Sequence, residues 1–522
     1  RHVVERGAMA KRSRSPVHEP KLPYTLEDAG SPYTGPTRHF INNEWRASLA
    51  GGEMATVNPS TGAEIARVSA GLSADVDAAV ECARNAFTTW SQTPGEKRGH
   101  LLRRYGDLIL ANQETLARLE GLDNGMSVVL GRGVVFQAAQ WVYYYAGWAD
   151  KLEGTTHNDL LDRRLFTYTV RQPYGVVGAI VPWNFPIALL VWKLAPALAC
   201  GNTLVIKPSE KTPLTALALA DLAMRAGFPP GVVNVVLGLG TTAGDALARH
   251  PHVDKISFTG STGVGRAILR AAAETNLKRV TLELGGKSPV IVMPDADLDE
   301  AVAFAHSGLF INQGQFCAAG SRVIVHEDVY EEFLAKSAEL ARKRRARVGH
   351  ALDEKATHGP VVDQLQYNRV LEYIEAGKRD GARVVVGGER VAAHKDESIR
   401  GGFYIEPTIF ADVEPRMRIA QEEIFGPVMA VIKVRSVQEA IAVANQTEYG
   451  LAAGVFCRDI KSALAIAHAV HAGTVWVNTY GKMMPQAAFG GMKLSGIGTE
   501  NGEAVLREYS HSKTVTMALA KL

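Results

Sequence analysis

Four strand–loop–helix units follow one another in residues 174–285, and this alternation constrains the fold more than any other feature of the sequence. Each unit opens with a short apolar run and continues through a polar or glycine-rich loop, reading VVGAIVPWNFP, TLVIKPSE, VVNVVLGLGTTAG and KISFTGSTGVG. Strands that alternate with helices predict a parallel sheet with helices on both faces. Ligands of such sheets bind at the carboxyl ends of the strands. We therefore expect the functional side chains in the loops that follow these strands.

The rest of the chain predicts further α/β structure, because 522 residues exceed what one core can enclose. Ser73 is a suitable N-cap for a helix that runs to about Trp90, and Gln137–Leu152 form an aromatic-rich helix. A second α/β stretch follows the four units. Leu165–Gln172 and Thr514–Leu519 alternate like exposed strands, and we expect them to pair across a subunit interface.

Charge and hydropathy exclude several classes of function. The net charge of +3 gives no basis for broad electrostatic binding to nucleic acid or to an acidic membrane surface. The most apolar region, Ala179–Cys200, is interrupted by prolines and by Lys193, so it predicts a buried core rather than a membrane span. Residues 1–36 are rich in Arg, Lys, Pro, Ser and Gly and predict a mobile N-terminal arm. We expect neither a nucleic-acid partner nor a membrane partner.

The cysteines and histidines offer no metal site. The four cysteines lie far apart and form no CxxC pair, which argues against a disulfide framework or a zinc site. Such cysteine usage fits a reducing compartment, so we expect a cytoplasmic protein. His468 and His471 are spaced to share a metal on a helix, but the sequence supplies no third ligand.

Cys317 is the candidate nucleophile. It lies in the loop NQGQFCAAG, where small residues leave room for a substrate and backbone N–H groups can face a developing oxyanion. A free thiol titrates near pH ~8.5, so it needs a neighbour that activates it at neutral pH. The alternative is a buried structural thiol.

Two side chains near strand ends could complete such a site. Asn184 lies between two prolines in PWNFP, where its amide is a rigid donor for an oxyanion or a buried structural group. Glu283 lies on the apolar strand of LELGGKS, where a carboxylate is either ion-paired or a base with a raised pKa.

Three further loops have the character of a dinucleotide site. In KPSE, a glutamate at a strand end can accept from both ribose hydroxyls and repel a 2′-phosphate. FTGSTGVG lies between a strand and a helix, where backbone N–H groups bind pyrophosphate, although its spacing departs from GxGxxG. EEIFGP offers an acid and an aromatic ring for a second ribose and a flat ring. Each loop alone also fits a purely structural role.

Together, PWNFP, KPSE, FTGST, LELGGKS, GQxC, EEIFGP and FGGxKxSGxG occur in the order and approximate spacing typical of one family. From about Phe40 to its C-terminus, the chain resembles the NAD(P)-dependent aldehyde dehydrogenase superfamily. It is most similar to the tetrameric, aldehyde-oxidising branch that includes the classical cytosolic and mitochondrial enzymes and betaine aldehyde dehydrogenases.

The resemblance implies an α/β fold with a Rossmann-type cofactor domain, an α/β catalytic domain and a small β oligomerisation extension. The implied NAD-binding domain comprises residues 37–150 and 174–285, and the catalytic domain residues 286–495. The oligomerisation segments are then residues 151–173 and 496–522. We expect a homotetramer, with a homodimer as the alternative.

The resemblance also implies a role for individual residues. Cys317 matches the nucleophile, Asn184 the oxyanion donor and Glu283 the general base, while Lys193 and Glu500 match positions linked to proton transfer. The expected cofactor contacts are Pro182, Trp183, Lys207, Ser209, Glu210, Gly240, Gly244, Phe258, Gly260, Ser261, Gly285, Glu423 and Phe425. The expected substrate contacts form an apolar tunnel: Phe185, Leu189, Trp192, Ile311, Phe316, Met483 and Phe489.

The implied reaction oxidises a small-molecule aldehyde to the carboxylic acid through a cysteine thiohemiacetal and thioester, with NAD as cofactor and NADP as an alternative. A CoA-acylating enzyme and a catalytically silent binding protein are the other readings. The family's acylating members usually lack the base, so Glu283 argues against the first. Ala488 and Thr499 depart from the family pattern, and the change at Thr499 bears on how Glu500 is held.

Overall fold

The computed structural model describes residues 21–24, 33–49, 51–157, 164–391 and 399–519. Its first sheet has eight strands, and the central five run parallel, which confirms the α/β prediction. In spatial order the strands are Glu44–Arg46, His39–Ile41, Val233–Val235, Thr203–Lys207, Val176–Ile180, Lys255–Thr259, Arg279–Glu283 and Gly496–Ile497.

Helices cover both faces of the first sheet. The strands Val176–Ile180, Thr203–Lys207 and Lys255–Thr259 are buried at every position, as expected for parallel strands enclosed on both faces. The helices of this first lobe are Ser73–Trp90, Gly95–Ala111, Gln113–Asn124, Val128–Ala146, Pro186–Ala199, Leu214–Ala226, Asp245–Arg249 and Thr262–Glu274.

Two helix boundaries differ from the sequence prediction. The first long helix is capped by Leu72 rather than Ser73, because the Asp75 carboxylate accepts the Leu72 N–H at 3.0 Å and binds the helix start to the preceding loop. The aromatic-rich helix spans Val128–Ala146, so it begins earlier and ends sooner than Gln137–Leu152. It packs between the helices that precede and follow it in the chain. The predicted bounds are shifted toward the C-terminus because the aromatic residues, which mark this helix most clearly in the sequence, lie in its second half.

The second lobe is built on a seven-stranded, mostly parallel sheet. In spatial order its strands are Arg383–Val386, Thr408–Ala411, Val428–Val434, Arg322–His326, Pro289–Val292, Ala452–Phe456 and Thr474–Val477. The helices that follow residue 297 are Leu298–Phe310, Glu327–Arg345, Gln364–Arg379, Arg418–Gln421, Val437–Asn445, Ile460–Ala469 and Val505–Glu508.

A separate three-stranded antiparallel sheet, here the extension sheet, projects from the two lobes. It consists of Thr156–His157, Leu165–Pro173 and Ser510–Ala518. The two long strands pair along their whole length within one chain, so the expectation that they pair with each other across a subunit interface is wrong. Gly496–Ile497 pairs with Arg279–Glu283, which places this strand in the first sheet rather than in the extension. Two hairpin-like pairs complete the strands: Glu53–Val57 with Glu64–Ser69, and Tyr449–Gly450 with Met492–Lys493.

Part of the predicted N-terminal arm is packed against the first lobe. Leu22 is buried, and its backbone N–H donates to Asn112 Oδ1 at 2.7 Å. The Tyr24 hydroxyl donates to Asp221 Oδ2 at 2.8 Å. The prediction of a mobile arm is therefore wrong for residues 21–24, because these contacts fix them, while residues 1–20 and 25–32 lie outside the described residues.

None of the helices in the described ranges is both long and apolar enough to cross a membrane. Ala179–Cys200 instead supplies a strand and a helix that are almost wholly buried inside the first lobe.

Arg322 connects the second sheet to neighbouring backbone segments through hydrogen bonds. It is fully buried, and its guanidinium donates to the backbone oxygens of Lys287, Val443 and Ala444 at 3.0, 3.1 and 2.8 Å. Because the strand that begins at Arg322 follows the Cys317 loop, these contacts also fix the end of that loop.

We predict that Arg322→Ala lowers the free energy of unfolding by ~3 kcal/mol or more, because it leaves three buried carbonyls without their donor. Guanidinium denaturation measures the difference. The matched control is Arg416→Ala, since Arg416 is 86% exposed and its pair with Glu414 is worth less than ~1 kcal/mol. Equal stability of the two variants would contradict the structural role of Arg322.

Candidate active site

The Cys317 loop follows the helix Leu298–Phe310 and reverses direction through three left-handed residues. Asn312, Gln313 and Gly314 have φ of 44°, 55° and 74°. The left-handed region is unfavourable for most residues but accessible to Asn and Gly. A Cβ on Gly314 would lie 2.1 Å from the Gly426 carbonyl oxygen, so only glycine fits this close approach. The turn presents Cys317 in a largely buried position.

Cys317 and Asn184 line two cavities, and both lie where the cavities meet. One cavity has a volume of about 360 Å³, and the other, on the opposite side, about 290 Å³. The first, here the cofactor cavity, is lined by Pro182, Trp183, Asn184, Lys211, Thr259, Gly260, Ser261, Glu283, Leu284, Gly285, Cys317, Leu365, Gln366, Arg369, Glu423 and Phe425. The second, here the substrate cavity, is described below.

Asn184 bridges the two lobes. It follows the strand Val176–Ile180, is 2% exposed, and its Nδ2 donates to the Gln315 backbone oxygen at 3.0 Å. Its own backbone oxygen accepts from Asn312 Nδ2 at 2.7 Å. One hydrogen of the Asn184 amide remains available for a group in the cavities, as an oxyanion donor requires.

Glu283 ends the strand Arg279–Glu283 and lines the cofactor cavity together with Cys317. Neither of its carboxylate oxygens has a hydrogen-bond partner among the described residues. Burial raises the pKa of Glu283 to about 8. Burial also raises the pKa of the Cys317 thiol well above its ordinary value, and the Glu283 charge raises it further. The Glu283 carboxyl is therefore mostly protonated at pH 7, and its ionised form is a stronger base than an ordinary carboxylate. No cationic side chain among the described residues lowers the pKa of the thiol.

Lys193 and Glu500 form a buried ion pair behind Glu283. Lys193 Nζ lies 2.6 Å from Glu500 Oε1, and both side chains are almost fully enclosed. The Lys193 charge lowers the pKa of Glu283, and the Glu500 charge raises it, so the pair acts electrostatically on the acid. Paired backbone hydrogen bonds of 2.7 Å between Glu500 and Phe489 fix the segment, so Glu500 is held despite threonine at position 499.

The KPSE segment lies at the end of the strand Thr203–Lys207. Lys207 Nζ donates to Glu210 Oε2 at 2.9 Å, and the Gly240 backbone N–H also interacts with the Glu210 carboxylate. Gly244 lies beside Lys207, since an added Cβ would be 3.8 Å from Lys207 Cδ. Ser209 is buried within the segment. These five predicted positions therefore form one cluster, although none of them lines the cofactor cavity itself.

The glycine-rich loop lies between the strand Lys255–Thr259 and the helix Thr262–Glu274. Ser261 caps this helix by accepting the Val264 N–H, and it lines the cofactor cavity with Gly260. A Cβ on Gly260 would lie 2.5 Å from the buried Phe258 ring, so the ring packs directly against the backbone of the loop. The Thr259 hydroxyl is buried without a partner among the described residues.

Glu423 and Phe425 approach the cavity from the second lobe. Glu423 Oε1 accepts the Gly286 N–H at 2.9 Å, and a Cβ on Gly285 would lie 2.4 Å from Glu423 Oε2. Phe425 has a φ of 60°, and its ring packs edge-on against Trp183 at 5.2 Å. Pro182 and Trp183 complete this wall.

Sequence reasoning missed the helix Gln364–Arg379 at this wall. Gln366 Nε2 donates to the Phe425 backbone oxygen at 2.8 Å, and Arg369 donates to that of Glu423 at 3.0 Å. Lys211, also missed, lies over the Trp183 ring at 5.4 Å. Lys211 directly follows KPSE, so the sequence could have indicated it as a site residue. No local sequence pattern indicates that the helix Gln364–Arg379 contributes to the site.

The substrate cavity is mainly apolar and aromatic. Of the expected contacts, Phe185, Leu189, Trp192, Ile311, Phe316 and Met483 line it. Phe489 does not line it but packs against Trp192, with ring centroids 5.8 Å apart. Lining residues that the sequence did not reveal include Leu130, Val134, Gln137, Trp141, Phe304 and Tyr480. They come from helices and loops distant in the sequence from the motifs.

The geometry fits a dinucleotide in the cofactor cavity. The helix N-terminus at Ser261 suits a pyrophosphate, the Glu423 carboxylate lines the cavity, and the buried Thr259 hydroxyl has no partner among the described residues. A thiol and a buried acid adjoin this cavity, and an apolar cavity adjoins the thiol. These features together fit an oxidoreductase that takes a nicotinamide dinucleotide.

Comparison with known proteins identifies the family. The profile of the aldehyde dehydrogenase family matches residues 45–515. Human "Retinaldehyde dehydrogenase 3" is 50% identical over 487 residues, covering 92% of this chain and 93% of its own. Human "Aldehyde dehydrogenase 1A1" is 47% identical over 508 residues, covering 96% and 98%. The chain belongs to the aldehyde dehydrogenase family.

Solved structures agree with this assignment. Betaine aldehyde dehydrogenase from Staphylococcus aureus, in complex with NAD+, superposes with a TM-score of 0.90 at 38% identity, covering 94% of this chain and 96% of its own. PnpE in complex with nicotinamide adenine dinucleotide gives 0.90 at 43% identity, covering 93% and 98%. The protein is an NAD(P)-dependent oxidoreductase, and its family reaction is the oxidation of an aldehyde to the carboxylic acid.

We predict that iodoacetamide alkylates Cys317 slowly at pH 7 and faster as the pH rises, because burial and Glu283 hold the thiol pKa high. Glu283→Gln removes the neighbouring negative charge and shifts the rate profile to lower pH. Mass spectrometry of the Cys317 peptide measures the rates, with the exposed Glu274→Gln as the control. A shift to higher pH would mean that Glu283 activates the thiol in the free enzyme.

Proposed function

We propose that Cys317 attacks the aldehyde carbonyl and carries the acyl group, with Asn184 and Glu283 as oxyanion donor and base. The observation that carries this proposal is the position of Cys317 and Asn184 where the two cavities meet. The carbonyl group of an aldehyde in the substrate cavity would then lie beside the Cys317 thiol and the Asn184 amide. Its aldehydic C–H bond would face the cofactor cavity.

The steps follow from this arrangement. The Cys317 thiol first gives up its proton to water, and the thiolate sulfur then forms a bond to the carbonyl carbon as the C=O double bond opens. The resulting oxyanion accepts from Asn184 Nδ2 and from the backbone N–H of the Cys317 loop. Loss of hydride from this carbon leaves a thioester on Cys317. Glu283 takes a proton from a water that attacks the thioester, and the carboxylic acid leaves with the thiolate restored. We propose that the ion pair of Lys193 and Glu500, whose charges act on Glu283, takes the proton onward from Glu283.

The cofactor cavity would hold NAD, whose nicotinamide accepts the hydride. Ser261 with the start of its helix would bind the pyrophosphate, and Glu423 with Phe425 the nicotinamide ribose. Glu210 and Lys207 would bind the adenosine ribose. A carboxylate at position 210 disfavours the extra phosphate of NADP, although NADP use remains compatible with the fold.

The preferred substrates are apolar aldehydes. Six aromatic rings line the substrate cavity, and no Asp or Glu among the described residues lines it; the rings are those of Trp141, Phe185, Trp192, Phe304, Phe316 and Tyr480. The printed names of several relatives refer to retinaldehyde, which is itself apolar, and this supports the same class of substrate.

The protein is further proposed to act as a homotetramer, or as a homodimer, in the cytoplasm. The extension sheet supports assembly, because the nine-residue strand Ser510–Ala518 pairs on one side only with the strands that the structure describes, and it exposes Met517. Open edges of this kind pair readily with another chain. A reducing compartment suits a reaction that depends on a free Cys317 thiol.

We predict that the protein reduces NAD faster than NADP when given aldehydes, and that kcat/KM rises from acetaldehyde to hexanal. Each buried methylene contributes up to ~0.8 kcal/mol, and the substrate cavity is apolar. Absorbance of the reduced cofactor gives the rates, and Cys317→Ala is the control.

Each contrary outcome has a separate meaning. Turnover that requires added CoA would favour the acylating reaction, and binding of NAD without any turnover would favour a silent binding protein. A kcat/KM no higher for hexanal than for acetaldehyde would contradict the apolar substrate class. Turnover that survives in Cys317→Ala would refute the nucleophile.

A further inference from the structure

Asn312 lies at the contact between the two lobes, beside the nucleophile. It is 2% exposed, and its backbone is left-handed, with φ of 44°. Its side-chain Nδ2 donates to the backbone oxygen of Asn184 at 2.7 Å. Asn184 follows a strand of the first sheet, whereas Asn312 follows the helix Leu298–Phe310 of the second lobe. One hydrogen bond therefore connects the loop of the thiol to the loop of the amide.

This bond is part of a closed ring of three residues. Asn312 donates to the Asn184 backbone oxygen, and Asn184 Nδ2 donates to the Gln315 backbone oxygen at 3.0 Å. Gln315 closes the ring, because its backbone N–H and its Nε2 both donate to the backbone oxygen of Asn312 at 3.1 Å. The ring occupies one hydrogen of the Asn184 amide and fixes the direction of the other.

A second asparagine supports Asn184 from within the first lobe, but less closely. Asn124 Nδ2 donates to the Trp183 backbone oxygen at 2.5 Å, and it reaches the Asn184 oxygen only at 3.4 Å. The bond from Asn312 is thus the closer of the two contacts to the Asn184 backbone. It is also the one that sets the position of Asn184 relative to Cys317, since Asn124 and Cys317 lie in different lobes.

We propose that Asn312 is a positioning residue that sets the Asn184 amide at the distance from Cys317 that an oxyanion requires. The inference rests on the proposed role of Asn184 as the oxyanion donor. Such donors act only within about 2.7–3.1 Å of the oxyanion, and a displacement of ~1 Å can cost ~100-fold in rate. Asparagine suits the position because it combines a left-handed backbone with an amide donor.

The test compares two reactions of Cys317 in wild type and in Asn312→Gly, which accepts the left-handed backbone but has no amide. Stopped-flow absorbance of the first turnover with hexanal and NAD reports hydride transfer, which follows oxyanion formation. Iodoacetamide alkylation reports the thiol alone, because displacement of iodide forms no oxyanion. We expect hydride transfer to slow about 10- to 100-fold, with alkylation rate and NAD affinity within twofold of wild type.

Two further variants complete the design. Asn478→Gly is the control for the substitution, because Asn478 is also left-handed, with φ of 52°, and also donates to a backbone oxygen, that of Cys457. Asn312→Ser, whose shorter side chain does not span the gap, repeats the test if Asn312→Gly does not fold.

The outcomes separate the inference from the proposed function. Hydride transfer within twofold of wild type in the Asn312 variants would overturn the positioning role. So would an equal loss of alkylation, because Asn312 would then act on the thiol loop rather than on Asn184. Absence of hydride transfer in the wild-type protein would instead refute the proposed function.

Discussion

The active site depends on a small set of buried hydrogen bonds across the contact between two parallel-sheet lobes. Strands of the first lobe end at this contact, and the second-lobe strands that follow Cys317 and Glu423 begin there. Each lobe contributes one half of the site: Asn184 and Glu283 from the first, Cys317 and Glu423 from the second. The side-chain amides of Asn184 and Asn312 and the carboxylate of Glu423 are removed from water, and each finds its partner across this contact. The hydrogen bonds that satisfy these buried polar groups therefore also hold the two halves of the site together.

Burial also sets the protonation states that the chemistry uses. The low-dielectric surroundings that raise the pKa of Glu283 to about 8 keep it mostly protonated at pH 7 and make its ionised form, which grows as the pH rises toward 8, a stronger base than an ordinary carboxylate. The same burial disfavours the thiolate of Cys317 in the free enzyme, so activation of the thiol has to come from a change in its surroundings. The positive charge of a bound nicotinamide in the cofactor cavity would supply such a change.

Much of this site could be predicted from sequence because its residues lie in short motifs at strand ends. Asn184 and Glu283 follow or end strands whose apolar runs are easily read, and Cys317 lies in a glycine-containing loop. Gln366, Arg369 and Trp141 could not be predicted, because helices carry them to the cavities from distant parts of the chain. The pairing of Leu165–Pro173 with Ser510–Ala518 was recognised, but a strand pattern does not tell whether its partner belongs to the same chain.

The central claim is that the acyl group passes through a thioester on Cys317 that Glu283 is needed to hydrolyse. The most direct measurement mixes Glu283→Gln protein with hexanal and NAD, then records both the reduced cofactor formed and the mass of the Cys317 peptide. The account predicts one equivalent of reduced cofactor per active site, little further turnover and an acyl group on Cys317. Steady turnover at the wild-type rate, or an acyl group on any other residue, would contradict it.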